Sequence, residues 1–131
     1  MMRRLLIIAA LVAAGCGGGN TPTTPSNTSS RSETWSSTVA PGGQSSRSFT
    51  VDASGTINVT LTAAGAPTLG LGVGLPRTTG GGCRLGVTVN ASAGTTPQIS
   101  TNADAGQYCV EVYDLGTITD PVGFAVKIDH P

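Results

Sequence analysis

The sequence predicts an all-β domain, an antiparallel β-sandwich of jelly-roll-like type with seven or eight strands. Segment after segment alternates apolar and polar residues, which is the period of a strand with one buried face. Gly, Pro, Asp and Ser clusters separate these segments, and strong helix formers are scarce beside Thr, Val, Ser and Gly. Strands with one apolar face each require two sheets packed face to face.

Six segments alternate clearly, and weaker ones lie near Thr34–Val39 and Gln98–Thr101. Glycine-containing or proline-containing turns lie between most of them, and we expect the apolar positions to face the core. In chain order these positions are Phe49 and Val51; Ile57, Val59 and Leu61; Leu69, Leu71, Val73 and Leu75; Leu85, Val87 and Val89; Tyr108, Val110 and Val112; Val122, Phe124, Val126 and Ile128.

The first 15 residues are predicted to be a signal peptide. Arg3 and Arg4 precede an apolar run of ten residues, Leu5 to Ala14, whereas a membrane-spanning helix needs roughly 20. The small residues before Cys16 resemble the bacterial lipobox, in which that cysteine is lipidated and becomes the mature N-terminus. Two alternatives are a plain secreted protein with an incidental Cys16 and twin-arginine export through Arg3-Arg4.

Residues 16–33 are expected to form the lipidated cysteine and a disordered tether. From Gly17 to Ser32 there is no bulky apolar side chain to offset the entropy of ordering. Gly17 is not the aspartate that retains some lipoproteins at the inner membrane. We therefore expect a cell-envelope location, at the outer membrane in a Gram-negative source and otherwise on the extracellular face of the cell membrane. Residues 34–131 are expected to form the β-domain.

Two cysteines remain after Cys16, and we expect Cys83 and Cys109 to form a disulfide. An exported chain meets an oxidising compartment, and an even remainder of cysteines there indicates a bridge. Cys83 shares its parity with the predicted inner face, whereas Cys109 shares its parity with Glu111 on the outer face. A strand-end position or a β-bulge near the Gly80–Gly82 loop would reconcile the two.

Charge argues against a nucleic-acid partner. The chain has seven basic and seven acidic residues, and charged residues make up 11% of it. Loss of Arg3 and Arg4 with the signal peptide leaves five basic residues, for a net charge of −2. These five are scattered, so the sequence offers no basic stripe that follows phosphates.

Catalytic machinery is not expected, and neither is a cofactor. His130, the single histidine, is close to the C-terminal end, where we expect a solvated side chain rather than a general base. Asp104, Asp114 and Asp120 lie at predicted turns, and Glu111 and Asp129 lie on an outer face. Asp114 with Asp120 is a weak candidate pair for calcium, without the dense ligand spacing of a dedicated loop.

Candidate binding residues come from glycines and aromatic side chains. Gly70, Gly72 and Gly74 occupy the outward positions of one strand, either because another segment packs closely there or because the face is a flat docking surface. Trp35 and Tyr113 are the aromatic residues left for sugar stacking, although Trp35 is expected to plug the end of the sandwich.

Four segments resemble the bacterial pre-peptidase C-terminal domain family, and the resemblance covers roughly residues 35–129. The segments are Gly55 to Thr62, Leu69 to Gly74, Ala105 to Asp114 and Phe124 to Ile128. The resemblance implies a non-catalytic β-sandwich with a binding, structural or secretion-accessory role. We expect a membrane contact through the lipid and an unidentified protein or glycan partner. The alternatives are a carbohydrate- or polymer-binding lipoprotein and a small secreted hydrolase.

Overall fold

The computed structural model describes residues 30–131, and these residues form eight strands. None of them belongs to a helix that is long and apolar enough to cross a membrane. The predicted signal peptide, Cys16 and most of the predicted tether lie outside the described residues. The strands are β1 (Arg31–Val39), β2 (Gln44–Val51), β3 (Gly55–Ala63), β4 (Leu69–Pro76), β5 (Cys83–Ala91), β6 (Ile99–Ala103), β7 (Gly106–Tyr113) and β8 (Val122–His130).

The strands form two antiparallel sheets of four, which confirms the predicted fold class. The first sheet has the order β1-β8-β3-β6 and the second has the order β2-β7-β4-β5. Neighbours within each sheet are mostly distant in sequence, so the chain crosses repeatedly between the two sheets. This order is that of an eight-stranded jelly roll.

The core lies between the sheets and is built from the apolar side of each strand. Val59, Leu71, Val110 and Val126, each predicted to be buried, are fully enclosed. Trp35 is 9% exposed and meets Phe124 edge to face, with ring centroids 5.0 Å apart. Alternation places these side chains on one face because successive residues of a strand point to opposite sides.

The first strand begins earlier than the sequence predicts. Residues 31–33 were expected to belong to the tether, but they pair with the end of β8, where Arg31 lies opposite His130. They carry no apolar side chain, so composition alone gives no signal for a strand. Their placement in the sheet comes from the partner strand, which is a tertiary effect.

A β-bulge changes the facing of the β5 residues. Register between β4 and β5 shifts between Val73 and Gly74, so Val87 lies opposite Val73 whereas Leu85 lies opposite Gly74. Gly86 is the extra residue, and it turns Leu85 to the outer face. The prediction that Leu85 faces the core is therefore wrong.

Two further residues of the predicted core are exposed. Leu75 and Val87 lie on the side of the sheet that faces the core, yet they are 45% and 39% exposed. Val87 lies on the edge strand of its sheet, and Leu75 lies at the end of β4 beside it. The alternation identifies their side of the sheet correctly, but it carries no information about where the opposite sheet stops.

Candidate functional site

The outer face of β4 is covered by the chain itself. The Tyr113 ring lies across Gly70, its register partner on β7, and would overlap a Cβ at that position. The Leu85 methyl groups lie 2.8 Å from where a Cβ would stand on Gly72. The backbone carbonyl of Arg84 passes over Gly74 and leaves no room for any side chain. The three glycines permit close packing, and no bare docking surface remains on them.

The disulfide lies at the end of this covered face. Cys83 and Cys109 are bridged, with their Cα atoms 5.9 Å apart, and both side chains are buried. They belong to β5 and β7, which flank β4 rather than each other. From the sequence, Cys83 was predicted on the inner face and Cys109 on the outer face. The bulge at Gly86 places both on the outer face, because it brings the start of β5 over Gly74 toward β7.

Glu111 is buried beside the disulfide, although the sequence places it on a solvated face. It does point outward, but the β4–β5 loop folds over it and leaves it 5% exposed. Its Oε1 accepts a hydrogen bond from the Cys83 backbone N–H at 3.4 Å. The covering loop is held by Arg77, whose backbone N–H donates to Gly82 and whose Nε–H donates to Cys83.

His130 is also buried, which corrects the expectation of a solvated tail. The ring is 3% exposed and lies 5.0 Å from the Phe49 ring, centroid to centroid. Its Nε2 is 3.2 Å from Glu33 Oε2 and its Nδ1 is 2.9 Å from the Pro131 carbonyl oxygen. Both ring nitrogens are thus engaged within the fold, so the histidine is not held in the position of a general base beside a nucleophile.

Polar contacts close the seam between β1 and β2, the edge strands on one side of the sandwich. Glu33 lies 4.0 Å from Arg47, and Arg31 lies 3.1 Å from Asp52. The Ser45 hydroxyl donates to the Ser37 hydroxyl at 3.0 Å. Glu33 contacts His130 within its own sheet and Arg47 on the other sheet, while the His130 ring packs against Phe49 of the other sheet, so both residues help to join the two sheets.

The Asp114 carboxylate holds two loops together through backbone hydrogen bonds and is not placed as a calcium ligand. Its Oδ2 accepts the Gly42 N–H at 2.8 Å, and its Oδ1 accepts the N–H groups of Gly116, Thr117 and Ile118 at 2.9, 3.1 and 3.3 Å. The Gly42 hydrogen bond, aided by the other three, holds the pKa of Asp114 below its ordinary value despite partial desolvation.

The calcium candidates are not brought together into a metal site. Both carboxylate oxygens of Asp114 face N–H donors, whereas a calcium ligand presents free oxygens. Asp120 is exposed and lines a shallow depression with Pro67, Ile118 and Val122. Within residues 30–131, no three His, Cys, Asp or Glu side chains are grouped so that they could hold a metal ion.

The aromatic candidates for sugar stacking do not form a platform. Trp35 contributes to the core against Phe124, and no flat indole face is offered to solvent. Tyr113 is half-buried with one side of its ring on Gly70. The two residues lie on different sheets, so they do not share a surface.

The buried positions of Glu111 and His130 and the half-buried position of Glu33 were not predicted from the sequence. For two of them a signal exists, because Glu33 has the parity of Trp35 and His130 has the parity of Ile128. Glu111 has no such local signal, since its burial depends on a loop folded from another strand pair. Comparison of the chain with models of known families finds no match, and neither does comparison with curated proteins.

Proposed function

We propose that this chain is a lipid-anchored, extracytoplasmic β-sandwich module that binds a partner and carries out no catalysis. One observation supports the non-catalytic part most strongly. The side chains best suited to chemistry are each engaged in a contact that holds strands or loops together. These are Cys83, Cys109, Glu111, Asp114 and His130.

Anchorage in this proposal depends on Cys16. The apolar run ending in Ala14 and the small residues before the cysteine support cleavage and lipidation at that position. Two or three acyl chains would hold the protein firmly, at ~0.8 kcal/mol per buried methylene. The residues that follow would then separate the sandwich from the lipid headgroups.

The fold is compatible with the resemblance to pre-peptidase C-terminal domains, which supports a binding or secretion-accessory role over an enzymatic one. A fold alone is a weak basis for function, because one architecture serves many activities. The specific support is the absence of free acid–base groups among the five side chains named above. A carbohydrate-binding role through Trp35 is not proposed, since that side chain belongs to the core.

Detergent phase partitioning tests the anchor. The wild-type chain is expected in the detergent phase, and Cys16→Ser is expected in the aqueous phase, because lipid can attach only to the cysteine sulfur. Cys83→Ser is the control, since it removes a cysteine of the disulfide within the sandwich and should leave partitioning unchanged. A Cys16→Ser chain that is cleaved normally and still enters the detergent phase contradicts the proposal.

A hydrolase screen tests the absence of catalysis. Ester, peptide and glycoside substrates are expected to be turned over no faster by the wild-type chain than by a Glu33→Gln variant. Activity that is lost in that variant, or in Asp129→Asn, would show that a carboxylate acts in chemistry and would overturn the non-catalytic assignment.

A further inference from the structure

The β4–β5 hairpin carries two arginines that have no carboxylate partner within residues 30–131. The other three basic residues of this part each lie within 4.0 Å of a carboxylate: Arg31 with Asp52, Arg47 with Glu33, and Lys127 with Asp129. Arg77 and Arg84 are exposed and line one recess with Leu75, Pro76, Thr78 and Thr79. An excess of positive charge is therefore confined to this hairpin.

Exposed apolar surface occurs on the same hairpin. Leu75 and Val87 are the large apolar side chains that stay exposed among residues 30–131. Register pairs Leu75 with Arg84 and Val73 with Val87, so Leu75, Arg84 and Val87 lie on one side of the sheet. The facing edge strand, β6, has five residues against nine in β5, and it leaves this end of the hairpin uncovered.

β5 is also a sheet edge, with backbone N–H and C=O groups that no strand of its own sheet pairs on the outer side. Such an edge is a template for an added strand. The β1 and β2 edges on the opposite side of the sandwich differ in that polar side chains link them to each other. Charge, apolar exposure and an unpaired edge thus coincide in one place.

We propose that the β5 edge, defined as Arg84 to Val89, binds an extended segment of a partner protein as an added antiparallel strand, with an acidic residue of that segment opposite Arg84. This inference rests on the proposed function, since it names the partner of the binding module. Main-chain hydrogen bonds would supply affinity, and side chains at alternate positions would supply specificity.

The register of the hairpin defines the partner sequence. A strand running antiparallel to β5 places apolar residues opposite Val89 and Val87. The bulge at Gly86 lets one partner residue face two residues of β5, and the next partner residue then lies opposite Arg84. An Asp or Glu at that position would pair with the guanidinium. The expected pattern is apolar, polar, apolar, polar, acidic.

Charge favours this occupant over a second copy of the chain. A copy pairing through its own β5 edge presents Arg84 again, not a carboxylate. Outside the hairpin the described residues carry three basic and seven acidic side chains, so an acidic partner is repelled elsewhere and attracted here. A membrane is less suited, because the loop tip is Gly80 to Gly82 and the apolar side chains lie along the strand instead.

The test is an NMR titration of the full ¹⁵N-labelled chain in detergent with two C-terminally amidated peptides. One is Thr-Val-Thr-Val-Thr-Asp, and the control replaces its last residue with Asn. We expect shifts concentrated in the amides of β5 and about two- to fivefold tighter binding of the Asp peptide at low salt, the range of an exposed ion pair. That preference should disappear in high salt.

Variants distinguish strand addition at the β5 edge from nonspecific peptide binding. Arg84→Gln should remove the preference for the Asp peptide, whereas Arg31→Gln, at an arginine paired with Asp52, should keep it. Val87→Lys should weaken binding of both peptides at least about tenfold, since an inward-pointing charge blocks edge pairing. Ser36→Lys on β1 is its control and should bind as wild type does.

Three results would overturn the inference: no binding of either peptide, equal binding by Val87→Lys, or shifts spread over both sheets. Sedimentation of the Cys16→Ser chain with vesicles containing phosphatidylglycerol, lost in Arg77→Gln and Arg84→Gln, would assign the hairpin to membranes and contradict it as well. Failure here would leave the anchor experiment on Cys16 unaffected, so the two proposals can fail separately.

Discussion

Single residues in this domain are constrained most strongly where backbone or rings cross a glycine. Gly74 is the clearest example, because the Arg84 carbonyl occupies the space that a side chain would need. Overpacking of this kind costs about 1–3 kcal/mol, and relief would require the start of β5 to move away from β4.

We therefore predict that Gly74→Ala lowers the free energy of unfolding by about 1–3 kcal/mol. Gly86→Ala is the matched control on the neighbouring strand, since a Cβ there would meet only the Val73 carbonyl at 3.8 Å. Its effect should stay within about 0.5 kcal/mol, as for other surface changes. Urea denaturation measures both, and equal losses would mean that the crossing of Arg84 over Gly74 is not as described.

Glu111 tests whether the loop truly covers its strand. Glu111→Ala leaves the Cys83 N–H without its acceptor in a buried setting, and an unsatisfied buried donor costs about 1–3 kcal/mol. Gln107→Ala, exposed on the same strand and the same face, should change stability by about 0.5 kcal/mol or less. Indistinguishable denaturation midpoints for the two variants would show that Glu111 is solvated.

Asp114 should make stability depend on pH. Its folded-state pKa is depressed, so its carboxylate stabilises the fold above the unfolded pKa of about 3.9, and this contribution is lost as pH falls through the folded-state value. Asp114→Asn should lower the melting temperature near neutral pH, and the difference from wild type should shrink on acidification. Asp120→Asn in the same loop is the control. A difference that grows at acid pH would contradict the account.

Among the elements, β5 departs furthest from what its sequence indicates. Its alternation predicts a regular strand with Cys83, Leu85 and Val87 on one face. Because of the bulge, Val87 lies on the inner face, whereas Cys83 and Leu85 lie on the outer face. The parity mismatch of the cysteines predicts either a strand-end position or a bulge near the Gly80–Gly82 loop, and the structure has the bulge at Gly86. A bulge is a property of strand pairing, and one strand alone does not encode it.

The disulfide should stabilise the start of β5 more than any other element. In the chain-entropy model a loop of this length contributes ~3–4 kcal/mol. After reduction, amide exchange at Arg84 and Leu85 should accelerate more than exchange in the middle of β8, which lies in the other sheet. Uniform acceleration would mean that the bridge acts on the whole fold. Recovery of Cys83 and Cys109 as free thiols from the exported protein would contradict the bridge itself.

For the whole molecule, the sequence was sufficient for the class of fold and for most of the core. Period-two alternation identified the segments that became β2 to β5, β7 and β8, and it placed Val59, Leu71, Val110 and Val126 correctly. It failed where tertiary contacts decide: the start of β1, the exposed Leu75 and the buried Glu111. Side-chain parity is local information, whereas sheet edges and covering loops are set by the assembled fold.

The described surface has few charged groups, and the two basic side chains without a carboxylate partner, Arg77 and Arg84, both lie on the β4–β5 hairpin. That distribution suits a module with one basic edge on an otherwise net acidic surface. It does not depend on Cys16, so the proposed anchor and the proposed recognition edge are independent of each other.

The intact mass of the full chain expressed in a bacterium and extracted from its membranes tests the central claim most directly. We expect a chain that begins at Cys16, carries lipid on that residue and has two hydrogens fewer than the reduced chain because Cys83 and Cys109 are bridged. A mass that matches an unlipidated chain, whether cleaved elsewhere or uncleaved, would contradict the account of a lipid-anchored extracytoplasmic module.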